Sequence, residues 1–175
     1  MMKTFHSILA AFLFTGIAAN AADVNATAAG GGHSLFLKTD GSLWVVGQND
    51  AGQLGDGTTS DKNTVVRLLD ANVTAVSAGN QHSLILKNDG SIWSFGANDS
   101  GQLGDGTTTQ RSSPVKIENS GASALSAGYA FNLFLKADGL GNHNRRGMGE
   151  NQYGQLGDGT TMDRNASILA DSNVT

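Results

Sequence analysis

Two sequence motifs recur at a fixed interval along this chain of 175 residues. The pattern H-S-L-x-L-K-x-D-G begins at His33 and again at His82, and a related version begins at Phe131, so the interval is 49 residues both times. Over 27 positions counted from His33 and from His82, 20 residues are identical. The motif G-Q-L-G-D-G-T-T begins at Gly52, Gly101 and Gly154, and its last interval of 53 residues indicates an insertion of four residues in the third copy. Self-similarity of this kind predicts a chain of stacked structural units.

Each unit has the pattern of a small antiparallel sheet. Leu35 and Leu37, like Leu84 and Leu86, are separated by one residue, which is the period of a half-buried strand. An Asp-Gly pair follows in every unit and predicts a tight hairpin, because glycine tolerates a positive φ. Further hydrophobic runs complete a unit of four short strands. Since such a unit has apolar surface on both faces, neighbouring units must stack, and a period near 50 residues fits a β-propeller blade.

Composition excludes several classes of site. The chain has no cysteine, so disulfides, thiolate metal sites and cysteine nucleophiles are absent. Its 24 glycines and single proline fit a fold with many tight turns. With 11 Lys and Arg against 15 Asp and Glu, the net charge of −4 disfavours a broad basic surface for nucleic acid or anionic lipid. We therefore expect no nucleic-acid partner.

The N-terminal segment has the organisation of a secretory signal peptide. Lys3 provides a positive charge, residues 8–19 are almost wholly apolar, and Ala19 and Ala21 form a small-x-small cleavage pattern. The apolar run of about a dozen residues is shorter than the ~20 that a membrane-spanning helix needs. We therefore predict a signal peptide at residues 1–21 and a mature protein that is secreted, periplasmic or at the cell surface, with no stable membrane insertion after cleavage.

A combination of glycine, histidine and tryptophan positions identifies a family. Residues 78–84, 89–93, 96–98 and 101–104 together resemble the repeat of the regulator of chromosome condensation family, and three copies cover about residues 24–171. Members of this family are seven-bladed propellers. The resemblance therefore implies an all-β fold, a β-propeller with about three four-stranded blades of a ring that would normally have seven. It also implies a secreted member of bacterial type whose set of repeats is incomplete. The expected divisions are repeat 1 at 24–72, repeat 2 at 73–121, repeat 3 at 122–171 and the start of a truncated fourth repeat at 172–175.

The third repeat departs from the pattern. Trp44 and Trp93 have no counterpart in it, and the insertion falls near residues 140–146. We therefore expect a degenerate third blade. Because the sequence stops within a repeat, we also expect either a fragment of a larger protein or self-association through open blade edges.

Residues that repeat are expected to be structural, because chemistry needs one constellation and not one copy per blade. His33 and His82 are replaced by Phe131, so a shared metal site is not predicted. The repeated Asp-Gly pairs lack the spaced carboxylates of a calcium loop. No catalytic, cofactor-binding or metal-binding residue is therefore predicted. The structural signature of the repeats comprises Gly30, His33, Asp40, Gly41, Trp44, Gly52, Leu54, Gly55, Gly79, His82, Asp89, Gly90, Trp93, Gly101, Leu103, Gly104, Gly128, Asp138, Gly139, Gly154, Leu156 and Gly157.

Positions that vary between repeats are the candidates for recognition, because loops on a rigid scaffold often determine binding specificity. Tyr129 and Tyr153 are the expected anchors, since tyrosine is enriched at contact hot spots, although they could instead fill space between blades. Lys62, Arg111 and Arg164 occupy equivalent loop positions and complete the candidate partner-binding set.

The predicted function is that of a secreted, non-enzymatic binding module with a protein partner. The alternative is a structural or adhesion fragment of a larger surface protein. The family resemblance also implies a role like that of a guanine-nucleotide exchange factor, but export from the cytoplasm removes the partners of that role. An enzyme would need a cluster of unrepeated carboxylates or histidines, and the sequence has none.

Overall fold

The computed structural model describes residues 23–170, so the predicted signal peptide and the start of the fourth repeat lie outside the described residues. The described chain forms three four-stranded antiparallel sheets, which we call blades 1, 2 and 3, each with its strands in chain order. Blade 1 contains β1 (Val24–Ala29), β2 (His33–Lys38), β3 (Leu43–Gly47) and β4 (Lys62–Leu69). Blade 2 contains β5 (Val73–Ala78), β6 (His82–Lys87), β7 (Ile92–Gly96) and β8 (Arg111–Glu118). Blade 3 contains β9 (Ala122–Ala127), β10 (Phe131–Ala137), β11 (His143–Gly149) and β12 (Arg164–Leu169).

The Asp-Gly pairs form the predicted hairpin turns in the first two blades. Gly41 has a φ of 78° and Gly90 has a φ of 75°, in the region that favours glycine. In blade 1, Asp40 Oδ1 accepts a hydrogen bond of 2.9 Å from the amide of Ser42. This turn fixes the register in which Leu37 lies opposite Leu43, and both side chains consequently point to the same face of the sheet.

The insertion in the third repeat lengthens a hairpin. Leu135 lies opposite Arg145, as Leu37 lies opposite Leu43, but the ladder continues through the pair of Ala137 and His143. Each strand therefore extends by about two residues beyond its equivalent in blade 1, and the four added residues are accommodated without a change of register. The strand persists although a tryptophan is missing from it.

Arg146 occupies the position of that tryptophan. It lies opposite Phe134 as Trp44 lies opposite Phe36. Its guanidinium group donates hydrogen bonds to the hydroxyl and carbonyl oxygens of Ser167 on β12, at 3.3 and 3.2 Å. These bonds replace aromatic packing with a polar contact between adjacent strands.

The hydrophobic core lies between blades. Alternate side chains of β2 and β3 face blade 2, whose opposing face carries Ile85 and Phe95, and both of these are fully buried. The same arrangement recurs between blades 2 and 3, where Phe134 and Met148 take the equivalent places. The strands β1, β5 and β9 are neighbours in successive blades, so the blades are arranged with their first strands innermost, as around a propeller axis.

Hydrogen bonds also join the turns nearest this axis. The amide of Gly31 donates to the carbonyl of Gly79 at 3.3 Å, and the amide of Asn80 donates to the carbonyl of Tyr129 at 3.0 Å. Gly79 must be a glycine, because a Cβ there would lie 2.1 Å from the ring of His82 and 2.6 Å from the carbonyl oxygen of Gly128. Close approach of backbone and imidazole thus sets the spacing of adjacent blades.

Candidate functional site

The candidate binding residues lie at one end of the blades. In each blade the turn between the first two strands and the loop between the last two emerge at the same end, which we call the loop end; the opposite end is the turn end. A main-chain hydrogen bond joins the turn to the loop in every blade, as from the amide of Gln48 to the carbonyl of Gly32 at 2.8 Å. The loop end carries all five predicted partner-binding residues, namely Lys62, Arg111, Tyr129, Tyr153 and Arg164.

A buried asparagine organises each long loop. Asn49 is completely buried, and its Oδ1 accepts a hydrogen bond of 2.9 Å from the amide of Leu54. Its Nδ2 donates to Asp56 Oδ1 and to the carbonyl oxygen of Thr58, both at 3.1 Å. Equivalent bonds surround Asn98 and Asn151. One amide side chain therefore holds the two halves of each loop together.

The repeated aspartates complete the loop and pair with the candidate cations. Asp56 Oδ1 accepts bonds from the amide and hydroxyl of Thr58, at 2.9 and 2.6 Å, and Lys62 Nζ lies 3.1 Å from Asp56 Oδ2. Partial burial opposes ionisation of this carboxyl, but the bonds from Thr58 and Lys62 outweigh it and lower the pKa of Asp56 to about 2. The carboxylate is thus fully charged near neutral pH, and the loop's own donors occupy it.

The two arginines make the same pairing more closely. Arg111 Nη2 lies 2.6 Å from Asp105 Oδ2, and Arg164 Nη2 lies 2.6 Å from Asp158 Oδ2. The Thr160 hydroxyl is the largest influence that lowers the pKa of Asp158, and Arg164 adds to it. Each of the three candidate cations, Lys62, Arg111 and Arg164, thus pairs with an aspartate of its own loop, and their role in binding a partner stays a prediction.

Tyr129 and Tyr153 are exposed to solvent, at 70% and 84% of their surface. The carbonyl of Ala130 accepts a hydrogen bond of 2.9 Å from the amide of Glu150, which brings the turn of Tyr129 beside the loop of Tyr153. Within the described part of the chain, neither ring fills space between blades. Two large amphipathic side chains therefore stand at the loop end of blade 3.

The repeated histidines join blades rather than bind a ligand. His33 Nε2 lies 2.8 Å from Ser83 Oγ in blade 2, and that hydroxyl donates to the carbonyl of Gln53 in blade 1 at 2.8 Å. Since the serine proton is directed at Gln53, the imidazole donates through Nε2. His82 repeats the contact with Asn132 Oδ1 at 2.9 Å. In the described structure, Nδ1 of each ring has no hydrogen-bond partner. Each Nδ1 carries no proton and lies against the backbone of a glycine, Gly30 for His33 and Gly79 for His82.

The described residues were also compared with what a metal site or a membrane span requires. In residues 23–170, no group of three or more His, Asp or Glu side chains is arranged to hold a metal ion. The same residues include no helix long and apolar enough to cross a membrane. What the site presents is a set of ordered loops with aromatic side chains, which is suited to contact with another molecule.

Sequence reasoning missed the asparagines at the centre of the loops. The available signal was that Asn49, Asn98 and Asn151 each precede the G-Q-L-G motif by three residues in all three copies. It also missed Ser83 and Asn132 as the receivers of the histidine bonds, because that role appears only when adjacent blades are placed side by side.

The fold and the contacts between blades define an incomplete β-propeller. Two family models agree, and both are described as the regulator of chromosome condensation (RCC1) repeat. One matches residues 24–53 and 73–102, and the other matches residues 40–86 and 89–135. The chain belongs to this repeat family. No curated protein matches it in sequence.

Solved propellers have the same fold. Human WBSCR16 is 28% identical, with a TM-score of 0.72 over 83% of this chain and 39% of its own. Yeast RCC1 (Prp20), solved with Kap60 bound, is 23% identical with a TM-score of 0.70, covering 87% of this chain and 38% of its own. Prp20p from Saccharomyces cerevisiae has also been described with its binding to Gsp1p and histones. The chain therefore spans about two fifths of the length of these structures.

Proposed function

We propose that this chain is a secreted, non-enzymatic module that binds a protein partner through the loop end of blade 3. The observation that carries the proposal is the pair of exposed rings, Tyr129 and Tyr153, on adjoining loops. Tyrosine brings large contact area at low cost in side-chain entropy and has a hydroxyl for hydrogen bonding. Protein binding by Prp20, a propeller of the same fold, gives the proposal general support.

The loops beneath these rings are ordered in advance. Asn151 is fully buried and binds both sides of the loop that carries Tyr153, and Arg164 holds the same loop through Asp158. A rigid loop loses little conformational freedom when it binds, so more of the contact energy is retained as affinity. Lys62, Arg111 and Arg164 would lie at the rim of the interface with the partner. There, a carboxylate of the partner would bind a cation that is already paired with an aspartate of its own loop.

Site-specific photocrosslinking tests the proposal. A photoreactive phenylalanine analogue replaces Tyr129 or Tyr153 in the full chain. The chain is expressed in a host that secretes it and that also produces the extracytoplasmic proteins among which the partner is sought. The matched control places the same analogue at Leu140, which is 86% exposed at the turn end. A discrete crosslinked protein from positions 129 and 153, and not from 140, is expected. Equal labelling at all three positions, or products that contain only this chain, would overturn the proposal.

Export is the other part of the proposal, and the pattern of residues 1–21 supports it. Intact-mass analysis of the extracytoplasmic fraction should give a chain that begins at Ala22. Recovery of the full-length chain from the cytoplasm would contradict export.

A structural role is the second candidate. The observation that favours it is the repetition of one blade, whose faces are buried against neighbouring blades as in a repeat array. If the role is structural, substitution of both Tyr129 and Tyr153 with serine should leave the proteins that co-purify with the chain unchanged. If the chain is a binding module, the same double variant should lose its partner.

A further inference from the structure

The sequence contains several Asn-x-Ser/Thr triplets, and this triplet, with any residue except proline in its centre, is the acceptor for N-linked glycans on exported proteins. The triplets begin at Asn25, Asn72, Asn98, Asn165 and Asn173. Two residues before the asparagine, four of them have an aspartate and the triplet of Asn98 has Gly96; the aspartates are Asp23, Asp70, Asp163 and Asp171. One class of bacterial oligosaccharyltransferase requires an acidic residue at this position in addition to the triplet. The sequence therefore separates Asn98 from the other four asparagines.

The structure separates Asn98 from the others in the same way. Asn98 is only 1% exposed. Its Nδ2, the atom that would carry a glycan, donates hydrogen bonds to Asp105 and to the carbonyl oxygens of Thr107 and Thr109. A glycan on this atom would remove the bonds that hold the long loop of blade 2 together. Asn25, Asn72 and Asn165 are exposed, and Asn173 lies outside the described residues. Within residues 23–170, the preceding aspartate and an exposed asparagine thus occur together.

Asn72 has the geometry best suited to carry a glycan. It lies in the turn between β4 and β5 with a φ of 74°, a left-handed conformation that asparagine tolerates. Its Oδ1 accepts a hydrogen bond of 3.2 Å from Asn88 Nδ2, whereas its own Nδ2 donates none within residues 23–170. In contrast, Asn165 Nδ2 donates to the carbonyl oxygen of Gly106 at 3.0 Å. A glycan on Asn72 would therefore cost the fold no hydrogen bond.

The exposure of Asn72 does not depend on any further blade, because both of its neighbouring blades are described. A Cβ on Gly41, in the hairpin turn of blade 1, would lie 3.0 Å from the amide nitrogen of Asn72. The carbonyl oxygen of Asn72 accepts a hydrogen bond of 3.0 Å from the amide of Asn88 in blade 2. Asp70 is also accessible, since its side chain is 91% exposed and its carboxylate lies 3.3 Å from Arg67 Nε.

We infer that Asn72 is a site of N-linked glycosylation and that Asp70 is the residue that selects it. The inference rests on the export part of the proposed function, because the transferase acts outside the cytoplasm. Asn25 and Asn165 have the same preceding aspartate and are also exposed, so they are further acceptors.

The transfer joins a sugar to the amide nitrogen of the side chain. Nδ2 of Asn72 attacks C1 of the terminal sugar of an oligosaccharide that is linked to a lipid pyrophosphate. The bond from Nδ2 to C1 forms and the bond from C1 to the pyrophosphate oxygen breaks. The lipid pyrophosphate leaves with the bonding electrons, and a base of the transferase takes the amide proton.

Transfer to Asn72 precedes folding, because the rest of its triplet belongs to β5. Val73 is buried in the core, and the hydroxyl of Thr74 donates to the carbonyl oxygen of Leu86 at 3.2 Å. A transferase can bind these two residues only while the chain is unfolded, as it is when it leaves the export channel. The exposure of Asn72 then allows the modified chain to fold with the glycan in solvent.

Glycosylation in a bacterial host tests the inference. The full chain is exported by a bacterium that contains an acid-requiring oligosaccharyltransferase and a lipid-linked oligosaccharide of known mass, and glycopeptide mass spectrometry measures the occupancy of each asparagine. We expect a glycan on Asn72 and none on Asn98. Asp70→Asn keeps the triplet but removes the charge, so it should lower the occupancy of Asn72 at least about tenfold. Asp70→Glu should retain the occupancy.

Arg67→Gln is the matched control, because it removes the ion pair of Asp70 and leaves the acid in place. Its occupancy at Asn72 should equal that of wild type, and cells without the transferase provide the unmodified mass. Three results would overturn the inference and leave export intact: a chain that begins at Ala22 without a glycan on Asn72, equal occupancy in wild type and Asp70→Asn, or a glycan on Asn98. A full-length chain in the cytoplasm would contradict export, and this inference with it.

Discussion

His33 and His82 join neighbouring blades while they remain uncharged. Burial, together with the nearby His82, lowers the pKa of His33 from 6.5 to about 4, and burial also lowers the pKa of His82. A protonated imidazole would place a charge among apolar side chains and present a second donor at Nδ1, where the described structure has no acceptor. The contact between blades is therefore weakened by acid.

We expect the free energy of unfolding to fall between pH 6.5 and pH 4. In this range the unfolded chain binds more protons at His33 than the folded chain does, so stability is full above about pH 6.5 and is lost as the pH approaches 4. The loss from His33 should be about 2 to 3 kcal/mol at pH 4.5. Urea denaturation followed by circular dichroism at several pH values measures it.

His33→Phe provides the discriminating variant, since Phe131 shows that this ring fits the position. Its stability should depend less on pH than that of wild type, and His82 accounts for the remainder. His143→Phe is the matched control, because His143 is exposed at the turn end. An identical pH profile for wild type and His33→Phe would show that His33 is not the titrating group.

The buried asparagines predict a second effect at the residue scale. Asn98→Ala removes the acceptor of the Leu103 amide and a donor to two loop carbonyls. Unpaired buried polar groups cost about 1 to 3 kcal/mol each, so we expect a loss of at least ~2 kcal/mol in the free energy of unfolding. Denaturant titration measures this loss, with exposed Asn119→Ala as the control. A change below about 0.5 kcal/mol would mean that the loop is not held by this side chain.

Residue types predict local turns better than they predict hydrogen-bond partners that are distant along the chain. The Asp-Gly hairpins could be predicted because their geometry depends on a few adjacent residues and on the positive φ of Gly41 and Gly90. The role of Asn49 could not, since an asparagine in a glycine-rich loop is ordinary turn composition. Its burial is apparent only when its bonds across the loop, to residues up to 11 positions away, are known.

At the scale of elements, the extended hairpin of β10 and β11 shows why register outweighs side-chain identity. The sequence indicated that loss of the tryptophan weakens this strand. The structure retains the strand, because main-chain pairing continues from Phe131 opposite Gly149 to Ala137 opposite His143. An insertion of four residues divides equally between the two strands and preserves which side chains face the core.

Deletion of residues 140–143 should therefore be tolerated. The deletion joins Asp138-Gly139 to Asn144 and recreates the turn of blade 1. In that turn the main-chain amide of Lys38 donates a hydrogen bond to the carbonyl oxygen of Ser42. We expect a change in the free energy of unfolding within about 0.5 kcal/mol, measured by urea denaturation. Deletion of residues 140–142 is the matched control, because an odd number shifts β11 by one residue and reverses its faces. Equal stability of the two deletions would show that this register is not fixed.

At the scale of the whole molecule, the periodicity of the sequence determined the architecture. Three copies of one unit predicted three similar blades, and the structure contains them because each blade buries its faces only against another. The pairing of His33 with Ser83, 50 residues away, could not be predicted in the same way. Such contacts depend on how far one blade rotates relative to the next, which the sequence of a single unit does not specify.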